Sequence, residues 1–375
     1  MASSAVSHLS NPHDAEKRLR MLIDAAPVAM LVVEQGGKIV LANRQTEKTF
    51  GYEVEELLGQ DVGILVPEPV RKSHRGLVAD YFKAGASRVM GVGREIQGVD
   101  RNGRTFPVEI GLTPFDSGDG PQVIAAIIDI SERKRIETES TLARIVQQAM
   151  LPAAHAEFEG YDIAGTSEPA DATGGDFFDY IPLADHRLGL VIGDASGHGF
   201  AAALVTVAAR SYLRALSRHE KNVSQIMAAA NELLIEDVRD GRFVTLFCAV
   251  LDPTQSVLTY AGAGHSGYLL GRDGKLKEVL ESTGPPFGWF PHAEYPSATL
   301  RPECGDILLL LTDGIEEAFA QTGELFGRNR VIDAVMQHSH ERASKIVRGV
   351  QHAVARFRRG RDQNDDATLI VVKFD

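Results

Sequence analysis

Four short aspartate motifs in the C-terminal half carry the residue types best suited to chemistry. They are Gly174–Asp179, Gly193–Gly199, Leu311–Gly314 and Asn364–Thr368. In each motif an aspartate lies where an apolar run meets a polar or Gly-rich turn. Carboxylates gathered at the ends of buried strands repel one another and are costly to bury alone. A hard divalent cation relieves this repulsion, and two such cations can share a water and make it a nucleophile near neutral pH.

The order and spacing of these motifs resemble the SpoIIE and RsbU group of the PPM (type 2C) serine/threonine phosphatases. The resemblance covers roughly residues 141–375, and the alternative is four unrelated strand-end turns. It implies two Mg²⁺ or Mn²⁺ ions that polarise the phosphoryl oxygens and supply hydroxide for in-line attack, without a phosphoenzyme. The implied metal ligands are four carboxylates and one backbone carbonyl, namely those of Asp176, Asp194, Asp313 and Asp365, and that of Ala195.

Other residues near these motifs have two interpretations each. Asp179 and Asp366 either support the metal site, directly or through a third metal, or are solvated carboxylates at strand ends. His198 either donates a proton to the leaving seryl oxygen or only begins a helix. The basic run Arg356–Arg361 either lies near the substrate phosphate or balances a helix dipole. The segment Gly262–Gly267 departs from the corresponding family motif and is interpreted as a structural turn.

The N-terminal part predicts a small sheet with helices inserted after its first hairpin. Its strands are predicted at residues 30–33, 38–41, 89–99, 105–115 and 123–130, and its helices at 44–50, 54–58 and 67–83. With Phe50–Tyr52, Glu56–Gly59 and Asp129–Arg133, this order resembles a PAS sensor domain. The resemblance implies a pocket that is mostly apolar with a few polar groups.

Part of this domain is similar to the haem-binding PAS domains of FixL-type oxygen sensors. The similarity rests on segments such as Gly91–Arg94 and Gly103–Pro107. It implies that His74 ligates a haem iron and that Arg94 faces the bound gas. Asp80 departs from the pattern, because it stands where an arginine would hold a haem propionate. The alternative is that His74 is a polar helix residue that contacts the loops of its own domain.

Residues 131–150 predict a helix that connects the two parts. Ile136, Ala143 and Met150 recur every seven residues and Val146 adds a second apolar position, which is a weak coiled-coil signal. The segment resembles the helix before the catalytic core of the phosphatase group, where its rotation or ordering is thought to control the active site. We therefore expect a homodimer through the PAS domain and this helix. The alternative is a surface linker.

The C-terminal half predicts strands, then two helices, then more strands. The strands are predicted at 163–167, 176–182, 188–193, 243–252, 257–261, 307–312 and 368–374, and the helices at 199–216, 223–238 and 343–358. The expected fold class is α+β, with a C-terminal α/β sandwich of two antiparallel sheets flanked by helices. The expected organisation is a disordered tail at 1–16, a PAS domain at 17–130, a helical linker at 131–151 and a phosphatase domain at 152–375.

Composition limits the possible partners. The 375 residues carry a formal net charge of −12, which argues against nucleic acid and anionic membranes as partners. No apolar run approaches the roughly 18 residues of a spanning helix. The Ser-rich start lacks the apolar core of a signal peptide. Cys248 and Cys304 predict neither a disulfide framework nor a metal cluster, so the expected compartment is the cytoplasm.

The sequence therefore predicts a metal-dependent phosphoserine/phosphothreonine protein phosphatase under PAS control. The resemblance implies a phosphorylated STAS-type anti-sigma-factor antagonist as its substrate. The alternative is a non-catalytic sensor-scaffold that binds signalling partners. Four intact carboxylates favour the enzyme, because a silent domain has no need to tolerate their repulsion. The signal, and whether it activates or inhibits, stay open.

Overall fold

The computed structural model describes residues 12–84, 87–90, 95–116, 118, 120–197, 199–238 and 241–375. The chain divides into two compact units, Met1–Thr138 and Glu139–Asp375. Within the described residues, no helix has both the length and the apolar character needed to cross a membrane.

The N-terminal unit is one antiparallel sheet with short helices after its first hairpin. Its strands follow the order β2-β1-β6-β5-β3, with β4 paired to β5. Alternate residues such as Leu31 and Ile127 face a core that Phe50 and Leu57 cover from the helical side. The elements are α1 (Pro12–Asp24), β1 (Ala29–Glu34), β2 (Ile39–Ala42), α2 (Arg44–Phe50), α3 (Val54–Leu57), α4 (Arg71–Ala84), β3 (Arg88–Met90), β4 (Gln97–Val99), β5 (Thr105–Asp116) and β6 (Pro121–Asp129).

Three details of this unit differ from the predictions. Helix α1 begins at Pro12, so residues 12–16 are helical instead of belonging to a disordered tail, while residues 1–11 lie outside the described residues. The buried Asn43 explains how the helix is held, because its Nδ2 donates to the carbonyl of Ile23 at 3.0 Å. The strand predicted at 89–99 is divided into β3 and β4. The helix predicted at 67–83 begins with a 3₁₀ turn before α4.

The predicted connecting helix is confirmed as α5 (Ser131–Met150). The carboxylate of Asp129 accepts a hydrogen bond from the Ser131 amide at 2.8 Å and thereby caps its first turn. Four large apolar side chains of this helix are more than half exposed, namely those of Ile136, Leu142, Ile145 and Val146. The helix therefore carries apolar surface that its own chain does not cover.

The C-terminal unit contains two antiparallel sheets with the strand orders β15-β12-β11-β10-β9 and β14-β13-β16-β17-β8-β7. Its strands are β7 (His155–Phe158), β8 (Tyr161–Glu168), β9 (Asp176–Pro182), β10 (Leu188–Ala195), β11 (Val244–Asp252), β12 (Val257–Ala263), β13 (Gly267–Leu270), β14 (Leu276–Leu280), β15 (Ala298–Leu300), β16 (Ile307–Leu311) and β17 (Ala367–Phe374). Its helices are α6 (Phe200–Leu216), α7 (Val223–Asp237), α8 (Asp313–Glu316), α9 (Gly327–Gln337) and α10 (Ala343–Arg358).

The two sheets pack face to face between two layers of helices. Phe178, Ile192 and Phe247 of the first sheet meet Leu308 and Ile370 of the second in one core. The outer face of the first sheet packs on α6 and α7, and that of the second on α9 and α10. Strands covered on both faces are nearly all apolar, which is why their sequences lack alternation. The predicted four-layer α/β sandwich is confirmed, and the short elements β7, β13 to β15, α8 and α9 complete it.

Candidate metal centre

The two sheets bring the four predicted carboxylates to one edge of the sandwich. Asp176 begins β9 and lies directly opposite Asp194, near the end of β10. On the other sheet, Asp313 follows β16 and Asp365 precedes the neighbouring antiparallel strand β17. Because adjacent antiparallel strands run in opposite directions, the end of one and the start of the next lie at the same edge.

Two buried threonines join the sheets at this edge. The hydroxyl of Thr312 donates to Asp176 Oδ2 at 2.6 Å, and the amide of Thr368 donates to Thr312 Oγ1 at 2.9 Å. Thr312 and Thr368 are both fully buried. A hydrogen bond to a buried carboxylate stabilises its charged form, which burial alone disfavours. The bridge therefore helps to hold Asp176 in place between the two sheets.

Burial, and to a lesser extent mutual repulsion, disfavour the charged forms of two of these carboxylates. Burial raises the pKa of Asp176 well above its ordinary value, and the charge of Asp194 adds to this effect. Burial also raises the pKa of Asp194 to about 7, with further contributions from the charges of Asp313, Asp365 and Asp366. Asp313 and Asp365 are themselves exposed. The centre is therefore a solvent-facing rim of acidic oxygens, the kind of environment that a divalent cation stabilises.

The rim is open. Among the described residues, no three of these carboxylates bring an oxygen each to within 4.8 Å of one another. The predicted donor set, four carboxylates and the carbonyl of Ala195, offers oxygen atoms only, which are the ligands that Mg²⁺ and Mn²⁺ prefer. Ala195 is positioned by its own amide, which donates to the carbonyl of Gly175 at 3.0 Å.

Asp366 supports the turn that leads into Asp176. It is buried, and its two carboxylate oxygens accept hydrogen bonds from the amides of Ala170 at 2.7 Å and Gly175 at 2.6 Å. Burial raises the pKa of Asp366, against the opposing effect of these hydrogen bonds. Asp366 is therefore not a solvated carboxylate.

Gly314 packs against the backbone of the Asp365–Asp366 pair. A Cβ at Gly314 would lie 1.9 Å from the carbonyl oxygen of Asp366. Such an overlap is not tolerated, so only glycine allows the turn after Asp313 to approach this closely. The close contact links the positions of Asp313 and Asp365.

Asp179 has a different environment. It is fully buried, and Arg214 Nη2 donates to its Oδ1 at 2.8 Å while Arg210 Nε lies 3.0 Å from its Oδ2. Both arginines belong to α6. Asp179 is therefore neither solvated nor available as a ligand of a third metal, because two guanidinium groups occupy its oxygens. It joins β9 to α6.

Gln147, on the last turns of α5, contacts the motif that contains Asp176. Its Oε1 accepts from the amide of Gly174 at 3.1 Å, and its Nε2 donates to the carbonyl of the same residue at 2.6 Å. One side-chain amide thus satisfies both backbone groups of Gly174, two residues before Asp176. The connecting helix therefore contacts the turn that leads into the predicted ligand Asp176.

His265 and the basic run have structural contacts. The imidazole of His265 is buried and its Nε2 lies 2.9 Å from the carbonyl oxygen of Leu311, two residues before Asp313. Burial lowers its pKa to about 4, so the neutral ring donates this hydrogen bond. Arg358 donates to the side chain of Gln363 at 2.9 Å and Arg361 to the carbonyl of Ala320 at 3.2 Å. These two arginines therefore hold the segment before Asp365.

Two haem-related residues of the N-terminal unit, His74 and Asp80, lie on α4. Burial lowers the pKa of His74, and none of the described residues pairs with its buried Nδ1. Asp80 is exposed and forms an ion pair with Lys83 at 3.1 Å. Arg94, and His198 of the C-terminal unit, lie outside the described residues.

Thr312 and Thr368 belong to two of the aspartate motifs. A threonine beside an aspartate does not by itself indicate that its hydroxyl forms a hydrogen bond to the other sheet. Gln147 had no signal beyond its place on the predicted helix, because glutamine is common on exposed helix faces. Its role depends on a contact between residues 27 positions apart.

Comparison with known proteins agrees with this architecture. The family described as stage II sporulation protein E (SpoIIE) matches residues 184–375, and the PAS fold family matches residues 17–130. The structure resembles the SiaA-PP2C domain of Pseudomonas aeruginosa, with a TM-score of 0.57 and 24% identity, over 66% of this chain and 99% of that one. At this identity the similarity concerns the fold.

Two relatives match different parts of the chain. The phosphoserine phosphatase RsbU of Bacillus subtilis is 26% identical over 242 residues, which are 64% of this chain and 71% of RsbU. The sensor protein FixL of Bradyrhizobium diazoefficiens is 32% identical over 122 residues, which are 32% of this chain and 24% of FixL. The chain spans only part of the length of the curated relatives it matches, for example 41% of one and 24% of FixL.

Proposed function

We propose, from the premise that the chain belongs to the stage II sporulation protein E (SpoIIE) family, that its C-terminal unit hydrolyses phosphoserine and phosphothreonine in proteins with the help of divalent metals. The observation that carries the proposal is the convergence of Asp176, Asp194, Asp313 and Asp365 from two sheets onto one solvent-facing rim. Their mutual repulsion is what a pair of hard cations would relieve.

The proposed metal ligands are the four carboxylates and the carbonyl of Ala195. Two Mg²⁺ or Mn²⁺ ions would supply Lewis-acid polarisation of the phosphate and an activated water. The protein's own residues orient these ligands. Thr312 fixes one oxygen of Asp176, and Asp366 fixes the turn before it. Because both supports are buried, the position of Asp176 is set before substrate arrives, which favours catalysis by positioned charges.

Metal-dependent hydrolysis of p-nitrophenyl phosphate tests this activity. We expect turnover with Mn²⁺ or Mg²⁺, and its loss on adding a chelator. Asp194→Ala and Asp313→Ala should each lower the turnover at least ~100-fold while the fold survives, because each leaves the cations under-coordinated. The control is Asp273→Ala, an exposed turn aspartate between β13 and β14. Activity of either ligand variant near that of the wild type, at saturating Mn²⁺, would favour the scaffold alternative.

The proposed substrate is a phosphorylated anti-sigma-factor antagonist of the STAS type, within a partner-switching pathway. The similarity to RsbU, described as a phosphoserine phosphatase, supports a phosphoserine substrate. The choice of a STAS-type antagonist rests on the resemblance of the sequence motifs to the SpoIIE and RsbU group. A phosphorylated STAS-domain protein encoded by the same genome should be dephosphorylated with a kcat/KM at least ~100-fold above that of an unrelated phosphoserine protein. Equal values for the two would contradict the assignment.

Haem is a further candidate ligand of the N-terminal unit. The similarity to FixL supports haem binding, and so does the Nδ1 of His74, which is buried and pairs with none of the described residues. The exposed carboxylate of Asp80, in contrast, would not stabilise a haem propionate. His74 would hold the iron and Arg94 would face the bound gas. Protein reconstituted with haem should show a Soret band that His74→Ala loses. No band after reconstitution would leave His74 as a helix residue that contacts its own domain.

A further inference from the structure

Three aromatic rings form a stacked row on the surface of the C-terminal unit. The ring centroids of Phe243 and Trp289 are 4.7 Å apart, and those of Trp289 and Phe290 are 6.0 Å apart. Trp289 and Phe290 are 54% and 53% exposed. We call these three residues the aromatic shelf. Rings of this size are costly to leave in water, so a stable row of them marks a candidate binding surface.

Buried contacts hold the aromatic shelf in position. Asn231 is fully buried on α7, and its side chain donates to the carbonyl of Phe290 at 2.9 Å and accepts from the amide of Gly288 at 2.9 Å. Gly288 has a φ of +84°, and a Cβ there would lie 3.1 Å from the carbonyl oxygen of Arg242. The fold therefore keeps two exposed rings in a fixed place with a buried amide and a left-handed glycine.

The shelf adjoins the candidate metal centre. Ser196 directly follows Ala195, and its amide donates to the carbonyl of Phe243 at 2.8 Å while the amide of Phe243 donates to Ser196 Oγ at 3.0 Å. Asp194 lies opposite Thr245, two residues from Phe243, so strands about 5 Å apart with a rise of about 3.3 Å per residue put Phe243 roughly 8 Å from Asp194. The ring of Trp289 lies 4.7 Å from that of Phe243, so the exposed part of the shelf begins roughly 13 Å from Asp194.

The guanidinium of Arg242 lies beside the motif that contains Asp194. Arg242 Nη1 lies 3.3 Å from the position that a Cβ on Gly197 would take, and Gly197 belongs to the same motif as Asp194. A guanidinium at this place favours an anionic ligand and would attract a phosphorylated segment.

We propose that the aromatic shelf docks an apolar side chain of the phosphoprotein substrate, about three residues from the phosphoserine. The proposal rests on the proposed phosphatase function. An extended chain spans about 3.3 Å per residue, so three to four residues cover the distance from the metal centre to the shelf. Continuity with the metal-binding motif and the adjacent Arg242 favour this occupant over a second copy of the chain. Aromatic anchors of this kind often dominate binding to a partner.

A pair of short phosphoserine peptides tests the shelf with the full-length, Mn²⁺-loaded protein. The peptides differ only in carrying leucine or serine about three residues to each side of the phosphoserine. The wild type should have a kcat/KM on the order of 10-fold higher for the leucine peptide, the value expected for burial of one large apolar side chain. Trp289→Ala and Phe290→Ala should each lower this ratio towards one. Turnover of p-nitrophenyl phosphate, which is too small to reach the shelf, reports that the metal centre is intact.

The matched control is Leu276→Ala, an exposed apolar residue at the start of β14, which should keep the wild-type ratio. A wild type that hydrolyses both peptides equally well overturns the shelf alone. A ratio that survives in both aromatic variants also overturns it. A change in sedimentation caused by Trp289→Ala would assign the surface to self-association instead. A wild type that hydrolyses neither peptide nor p-nitrophenyl phosphate overturns the proposed function, and the shelf proposal with it.

Discussion

At the scale of single residues, the candidate centre depends on a hydroxyl group that stabilises a buried carboxylate and on a glycine that lets two backbone segments approach closely. Thr312 donates to the buried Asp176, and Gly314 lets the turn after Asp313 rest on the backbone of Asp366. Neither residue would be a metal ligand. Both nevertheless determine where the ligands are, and small displacements of ligands have large effects on rate.

Gly314→Ala should damage the centre without removing a carboxylate. The added Cβ would lie 1.9 Å from the carbonyl oxygen of Asp366, so the backbone must shift. We expect a loss on the order of 3 kcal/mol in the free energy of unfolding and at least ~10-fold in kcat. Urea unfolding and p-nitrophenyl phosphate turnover measure the two effects. Gly76→Ala, at an open position in α4, is the control and should stabilise by up to about 1 kcal/mol. Equal unfolding free energies and equal turnover in the two variants would contradict the close contact between Gly314 and Asp366.

His265 should make stability depend on pH. Its folded pKa is about 4, below the ordinary 6.5, so below pH 6.5 the unfolded chain binds a proton that the folded protein does not. The free energy of unfolding should therefore fall as pH falls from 6.5 to 4, by on the order of 3 kcal/mol from this residue. His265→Gln should flatten this decline in urea titrations, whereas His219→Gln, at an exposed position, should not. Parallel curves for wild type and His265→Gln would contradict the buried neutral imidazole.

At the scale of elements, α5 contacts the turn before the proposed ligand Asp176 through one side chain. Gln147 bonds both backbone groups of Gly174, two residues before Asp176. Asp179 similarly joins β9 to α6 through two arginines. The turn that presents Asp176 is thus attached to a helix on which apolar side chains such as Ile145 remain exposed. A change in the packing of α5 would be transmitted to Asp176 through these hydrogen bonds.

Gln147→Ala should weaken this coupling. Loss of both hydrogen bonds frees the Gly174 turn, so we expect a fall on the order of 10-fold in kcat and weaker Mn²⁺ binding, although no ligand is changed. Gln147→Glu keeps the acceptor for the Gly174 amide but loses the donor to its carbonyl, and should be at least as damaging. Gln148→Ala, at the exposed neighbouring position, is the control. Wild-type kinetics and metal affinity in both Gln147 variants would show that the contact has no influence on the centre.

At the scale of the whole molecule, the boundary between the two compact units falls within α5, between Thr138 and Glu139. The apolar residues of α5 lie on both sides of this boundary, and Ile136, Leu142 and Val146 are all more than half exposed. We propose that a second copy of the chain covers them in a homodimer. Pairing of α5 would then determine whether Gln147 keeps its hydrogen bonds to Gly174. Signals from the PAS unit would act through the same helix.

Two truncations and one double substitution test this arrangement. A chain of residues 139–375 keeps Gln147, whereas residues 152–375 lack it, so the shorter chain should be the less active by about 10-fold. The full-length protein should sediment as a dimer. Polar substitutions at Ala143 and Val146 should weaken the dimer and alter the phosphatase rate without touching any proposed ligand. If residues 152–375 matched the full-length protein in rate and metal affinity, α5 would be a passive linker.

The sequence by itself determined the features that depend on local pattern. Strand β9 has its predicted bounds, Asp176–Pro182, because an apolar run begins at a glycine turn. The PAS-like order, the connecting helix and the two-sheet sandwich also follow from periodicity, turn residues and motifs that lie close together in the chain. The proposed ligands Asp194 and Asp313 came from the resemblance to the phosphatase group, which rests on short motifs whose residues lie close together in the chain.

Only the tertiary structure decided how distant residues support the site. Thr312 reaches Asp176 across 136 positions, Arg214 neutralises Asp179 across 35, and Gln147 holds Gly174 across 27. No periodicity marks such pairs, because each depends on which strands and helices become neighbours after folding. Tertiary partners likewise distinguish Asp179 from Asp194, two carboxylates on neighbouring strands. Asp179 contacts two guanidinium groups, whereas Asp194 lies near other carboxylates. The chemistry of a carboxylate depends on its partners, and those partners come from elsewhere in the chain.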